Sequence, residues 1–146
     1  MTMENKISED TLIELAACDD VEQPRMLSAL NLAFIGDGVF EILVRQHLLK
    51  KGSLPMGKLH RSTVSLVCAK AQSEAVELIL PLLTEEETSI YKRGRNATGA
   101  GVPRHSDPAD YRRATGLETL FGYLYLTKRT DRIALLFDAV INNVNR

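Results

Sequence analysis

Between Arg25 and about Lys51, apolar residues crowd too densely for a helix with one wet face and one dry face. Leu30, Leu32, Ala33, Phe34, Ile35, Val39, Phe40, Ile42, Leu43 and Val44 cover most of the circumference at 3.6 residues per turn, so other elements must enclose the helix. Pro24 suits its first turn and Gly52 its end. The remaining segments are also helical. Residues 8–18 read as a short helix capped by Ser8. Pro55 opens a helical region running to Leu83, with one break expected near Ser62–Ser65. Thr84 followed three residues later by Glu87 is a capping-box pattern, starting a helix that ends near Asn96. A glycine-bearing loop over 97–106 leads to Asp107-Pro108, a cap and first-turn proline for a helix to about Lys128. Thr130-Asp131 starts the last helix, to about Val144. No segment sustains strand-like alternation, so the fold class is all-α. Without repeats or a linker, the chain reads as one domain over 24–146, preceded by an extension over 1–23.

With 45% hydrophobic and 25% charged residues, a 146-residue chain falls in the globular range. Cys18 and Cys68 have neither a disulfide framework nor zinc-ligand spacing around them, and reduced, buried thiols in the cytoplasm are expected. Met1 to Asp10 carries no apolar secretory stretch. The most hydrophobic run, Val76–Leu83, is interrupted by Glu77 and Pro81 and is too short to span a bilayer, so no membrane role is expected. The net charge of −1 argues against a general nucleic-acid binder. Its distribution argues the other way. From Tyr91 to Arg113, Lys92, Arg93, Arg95, Arg104, Arg112 and Arg113 face only Asp107 and Asp110, and partners respond to the local field.

Two acids interrupt otherwise apolar helices. Asp37 sits between Gly36 and Gly38 within Ala33–Glu41, and Glu118 sits in Leu117–Leu124 with Gly122 one turn on. A glycine inside a helix costs about 1 kcal/mol against alanine, and an unpaired buried carboxylate costs several more. Such local violations gather at functional sites. The glycines also clear space for a close helix contact or a ligand. Far apart in sequence, the two acids meet only if their helices pack face to face. A divalent cation would then stabilise the pair, and hard oxygen ligands suit Mg²⁺. Either acid could instead partner a buried arginine or lie half exposed at a helix edge. Glu41, four residues before Arg45, reads as half of an ion pair.

These residues resemble the ribonuclease III catalytic domain, and specifically its Mini-III branch, which consists of that domain alone. Phe34–Glu41 is similar to the family's signature helix, and Tyr111–Leu124 to its second acidic motif. Leu59-His60, Val67–Gln72 and Lys92–Ala97 resemble segments of the Mini-III branch. The likeness spans about residues 25–140. It implies a helical bundle of the ribonuclease III endonuclease type, a homodimer, and Asp37 and Glu118 as metal-binding and catalytic carboxylates. Larger family members carry two further acids where this chain has Ala33 and Thr115, a reduction shared by the Mini-III branch. Gly38 stands where alanine is usual.

The resemblance implies Mg²⁺-dependent cleavage of double-stranded RNA leaving 5′-phosphate and 3′-hydroxyl ends. It also implies a precursor of large-subunit (23S) ribosomal RNA as substrate, with the assembling large ribosomal subunit as a further partner. No nucleophilic Ser or Cys is required, and none of His47, His60 or His105 is assigned as a base. Arg93, Arg95 and Asn96 are candidates for gripping phosphates and the minor groove, although a basic helix end also complements its own dipole. Arg104 and His105 in the loop are expected to reach the far side of the duplex, with Lys70 and Arg61 as weaker contacts. Glu85–Glu87 read only as a favourable helix start. The competing expectation is a catalytically silent relative that binds structured RNA.

Overall fold

The computed structural model describes residues 20–97 and 101–144, so the expected helix over 8–18 and Cys18 lie outside the described residues. A short 3-10 turn at Pro24–Met26 precedes the α-helices, which among the described residues are α1 (Ala29–Leu49), α2 (Met56–Val67), α3 (Ala69–Ile79), α4 (Glu85–Arg95), α5 (Pro108–Leu126) and α6 (Thr130–Val144). A second 3-10 turn, Leu80–Leu82, follows α3. No strand occurs among the described residues.

The most enclosed helix is α5, not α1. Ten of its residues are buried, Ala114–Leu117 and Thr119–Leu124, so almost no face meets water. It can be enclosed because glycines let two neighbours touch its backbone. Gly36 of α1 meets Gly122 on one side, and Gly94 of α4 meets Gly116 and Thr119 on another. Helix α3 packs on a third side. Phe40 lies edge-on to Phe121 at 5.5 Å and to Phe137 at 5.8 Å, joining α1, α5 and α6 in one core.

The helix starts follow local chemistry. Asp107 accepts hydrogen bonds from the Ala109 and Asp110 amides ahead of Pro108. Thr84 and Glu87 form the expected capping box. Helix α1 begins later than Pro24 suggested, because the Ser28 hydroxyl accepts from the Asn31 amide and caps it there. The break expected near Ser62–Ser65 falls instead at Cys68, whose backbone is extended. Ser65 remains inside α2 by donating its hydroxyl to the Ser62 carbonyl at 2.8 Å. Cys68 is a free thiol, but it is exposed at this corner rather than buried as expected.

Helix α1 is less enclosed than its composition suggested. Leu32, Ala33, Gly36, Val39, Phe40 and Val44 are buried, yet Phe34 is 80% exposed and Ile42 57% exposed. Among the described residues, one apolar face of α1 has no cover. Glu41 and Arg45 on that helix form the expected ion pair at 2.9 Å.

The acidic start of α4 does more than favour the helix dipole. Glu86 receives Arg129 at 2.6 Å, the Tyr123 hydroxyl and Arg25, and these partners hold its carboxyl down to about 2. Glu87 is 1% exposed and receives Arg132 at 2.7 and 2.6 Å and the Thr84 amide at 3.0 Å. A buried carboxylate is tolerated when its lone pairs are filled in this way. The two acids tie α4 to the segments before α1 and after α5, which fixes the three helices around the glycine contacts.

Candidate active site

The glycine crossing determines where the two acids sit. A Cβ on Gly36 would lie 1.6 Å from the Glu118 carbonyl oxygen, and one on Gly122 would lie 1.9 Å from the Leu32 carbonyl oxygen. The backbones of α1 and α5 therefore touch at this level. Asp37 follows the contact residue by roughly 100° of helix rotation and emerges at the edge of the seam, within hydrogen-bond reach of Glu118. Asp37 is exposed and Glu118 half-buried, so the pair opens to solvent. Asp37 is not enclosed, because the enclosed helix is α5. Gly38, on the other side of Asp37, would place a Cβ with nothing within 4 Å, so it serves no close approach.

Burial, the hydrogen bond to Asp37 and the Asp37 charge together push the Glu118 carboxyl from 4.5 up to about 8. Without a counter-charge, Glu118 holds a proton at neutral pH. The Gln72 carboxamide of α3 acts in the opposite direction, favouring the ionised form. Gln72 is 2% exposed, and its Nε2 completes no hydrogen bond among the described residues. The amide lies close to Glu118. From sequence, Gln72 is only the last residue of the Val67–Gln72 segment and carries no role. The signal that could have found it is an amide on the helix face that Ala75, Val76 and Ile79 make buried.

One turn before each acid, Ala33 and Thr115 are 7% and 9% exposed. The Thr115 hydroxyl donates to the Tyr111 carbonyl at 3.0 Å and so turns back onto its own helix. Among the described residues, no group of three or more His, Cys, Asp and Glu side chains gathers anywhere, so none of the histidines joins the acids in such a cluster. The donor set is thus two carboxylates at a solvent-open seam. That set fits a hard divalent cation that keeps most of its waters, since an ion supplies the counter-charge the crowded acids lack.

The other expected site residues differ in what holds them. Arg93 is partly committed to structure, donating to the Leu27 carbonyl at 2.8 Å and the Arg25 carbonyl at 3.4 Å. Arg95 donates to the Asn96 side-chain oxygen at 3.1 Å, with its guanidinium 5.8 Å from the Tyr91 ring centroid. Asn96, Arg104, His105, Lys70 and Arg61 are exposed. The seven do not form one uniform set, because the two half-buried arginines are held against their own fold.

Among the described residues no helix is long and apolar enough to cross a membrane. The family description "Ribonuclease III domain" matches residues 30–129, a span that contains both acids and nearly all of α1 through α5. A "Mini-ribonuclease 3" from Symbiobacterium thermophilum is 40% identical over 123 residues, covering 84% of this chain and 95% of that protein. Another, from Desulfitobacterium hafniense, is 46% identical over 114 residues, covering 78% of this chain and 72% of its own. A crystal structure of a Fusobacterium nucleatum protein superposes with a TM-score of 0.74 at 34% identity, covering 82% of this chain and 95% of that one. Sequence match, shared architecture and the meeting of the two acidic helices agree: the chain belongs to the ribonuclease III family, whose Mini-ribonuclease 3 members it resembles along most of its length.

Proposed function

We propose that this endoribonuclease cleaves double-stranded RNA with Asp37 and Glu118 as its metal-holding carboxylates, Mg²⁺ as its ion, and residues 24–146 as its catalytic unit. The observation that carries the reading is the convergence of the two acids at a solvent-open seam, in a state that favours a cation. A bound divalent ion supplies an activated water and neutralises charge at the scissile phosphate. The chain's own part is to hold two oxygen ligands on rigid crossing helices and to leave the surrounding positions open. Ala33 and Thr115 contribute no charge, so water and substrate would complete the coordination of a bound ion. The products are 5′-phosphate and 3′-hydroxyl ends.

Exposed Asn96, Arg104, His105, Lys70 and Arg61, with Arg93 and Arg95 at the end of α4, supply the cationic and polar grip for an A-form duplex. Such a duplex is recognised through phosphates, 2′-hydroxyls and shape. The roles within that set differ. Arg93 and Arg95 fix the end of α4, and the exposed residues are the ones able to follow the backbone. We assign the enzyme to the cytoplasm and to precursors of large-subunit ribosomal RNA, naked or in the assembling subunit, a substrate suggested by the likeness to Mini-ribonuclease 3. The deciding assay incubates end-labelled duplex and single-stranded RNA with the protein, in Mg²⁺ and in EDTA. Cutting of the duplex in Mg²⁺ alone is the expected result. Tight duplex binding without any cutting would instead favour a silent RNA-binding relative, the reading that the missing acids at Ala33 and Thr115 motivate.

Two strands require two centres, and the uncovered face of α1 supports a homodimer. Phe34, Gly38, Glu41, Arg45 and Leu49 lie along one side of the helix, and Phe34 is 80% exposed. An exposed aromatic beside a paired Glu41–Arg45 has the composition of an interface core with its polar rim. Phe34→Glu is expected to convert a dimer to a folded monomer that nicks one strand at a time. Sedimentation equilibrium reads the first consequence, and a duplex labelled on both strands reads the second. A Phe34→Glu protein that remains dimeric removes this face from the interface.

A further inference from the structure

We infer that Gln72 is a positioning residue of the catalytic centre, its buried carboxamide holding the Glu118 carboxylate in the orientation that receives the cation. The inference rests on reading Asp37 and Glu118 as the metal-holding pair. Its independent ground is the state of Gln72 itself. The side chain is 2% exposed, and its Nε2 is the one buried side-chain nitrogen or oxygen among the described residues that completes no hydrogen bond. An unsatisfied buried amide is costly, whereas an apolar side chain of the same size at this position would be neutral or stabilising. A polar group kept at such a cost, and placed beside one acid of the proposed metal-holding pair, is accounted for by what it does for that acid.

The surroundings support the assignment. Gln72 lies in the first turn of α3, where Ala75, Val76 and Ile79 bury the same face against α5. The next residue, Ser73, receives Arg113 of α5 at 3.4 Å, and Arg113 also reaches Glu77 at 3.6 Å. These contacts fix α3 against α5 beside Glu118, so the amide is presented by a rigid element. The Gln72 amide stands beside the Glu118 carboxyl with its Nε2–H unpaired among the described residues. With one Glu118 oxygen given to a cation, the other would be free to accept from the Nε2–H of Gln72. Groups that hold a metal ligand in this manner typically change metal affinity or activity by about 10- to 100-fold when removed.

The test uses Gln72→Leu and Gln72→Met beside the parent protein and Glu118→Gln. Three quantities are read: the melting temperature in EDTA, the Mg²⁺ concentration giving half of the metal-induced rise in melting temperature without RNA, and kcat and KM on a duplex. Both Gln72 variants are expected to melt at or above the parent in EDTA. Their Mg²⁺ midpoint should rise about tenfold or more, and kcat should fall by a similar factor with KM for the duplex unchanged. An unchanged Mg²⁺ midpoint and kcat would overturn the inference. So would a clear loss of melting temperature in both variants, which would make Gln72 a packing residue. If the parent itself shows no Mg²⁺-dependent stabilisation and no cleavage, the metal-pair reading falls first, and the inference falls with it for that separate reason.

Discussion

Glu118→Gln will fold, will melt no lower than the parent protein in EDTA at neutral pH, and will cut duplex RNA on the order of 1,000-fold more slowly in Mg²⁺. Both halves follow from one geometry. Burial and the neighbouring Asp37 raise the Glu118 carboxyl from 4.5 to about 8, so without metal the folded protein carries Glu118 protonated at pH 7. A glutamine copies that neutral form. Between pH 4.5 and about 8 the folded protein binds a proton at this group that the unfolded chain has released. Stability without metal therefore falls as pH rises through that window, by up to about 1.4 kcal/mol per pH unit from this group. That slope should be shallower in Glu118→Gln, whose side chain does not titrate. Under the proposed role, metal binding needs the ionised acid and so runs the other way. Apparent Mg²⁺ affinity should climb by up to about tenfold per pH unit below pH 8 in the parent and stay flat in the variant. With Glu118 as one of two proposed ligands, its loss would remove several kcal/mol of charge stabilisation at the phosphate, which sets the expected fall in rate. Melting curves from pH 5 to 9 in EDTA, with single-turnover cleavage at saturating protein, read both effects. A variant that cleaves within tenfold of the parent would remove Glu118 from the ion's shell.

What could be read from sequence, and what could not, divides along the range of the interactions involved. The all-α class, the Thr84–Glu87 capping box, the Asp107-Pro108 start and the Glu41–Arg45 pair depend on neighbours within a turn, and the structure contains each of them. Asp37 and Glu118 stand out in sequence because each breaks an apolar pattern beside a glycine, and the packing of α1 on α5 sets them next to each other. The boundaries that moved were decided by competing local bonds. Ser28 caps α1 beyond the start that Pro24 suggested, and Ser65 satisfies itself within α2 and leaves the break to Cys68. Which helix would be central was not legible, since α1 and α5 are both rich in apolar residues. Only the assembled fold shows that α1 leaves Phe34 and Ile42 in water while α5 is covered on nearly every side. The partners of Glu86 and Glu87 come from Arg25, Tyr123, Arg129 and Arg132, distant residues that no helical period connects. Gln72 belongs to the same class, because an amide among alanines gains meaning only from the acid that packing sets beside it.

Gly36→Ala is expected to destabilise the protein by about 4 kcal/mol or more, a large share of the roughly 5–15 kcal/mol that holds a domain together. The added methyl would lie 1.6 Å from the Glu118 carbonyl oxygen, 2.5 Å from its carbon and 2.8 Å from the Gly122 nitrogen. All three are backbone atoms, so no side chain can swing aside. Relief requires α1 and α5 to separate, which opens the packing of Leu32, Phe40, Leu117 and Phe121 between and beside them. Alanine's helix propensity offsets only about 1 kcal/mol. Gly122→Ala meets the same obstacle from the other helix, 1.9 Å from the Leu32 carbonyl oxygen. Gly38→Ala is the internal control. It flanks the same aspartate, yet an added methyl there has nothing within 4 Å, and stability should rise by about 0.5–1 kcal/mol. Urea unfolding of the three variants in a Phe34→Glu background keeps subunit pairing out of the comparison. Opposite signs for Gly36 and Gly38 are required by a backbone-to-backbone crossing. If Gly36→Ala unfolds within about 1 kcal/mol of its parent, α1 and α5 do not touch at this level, and the contact between Asp37 and Glu118 loses the packing that creates it.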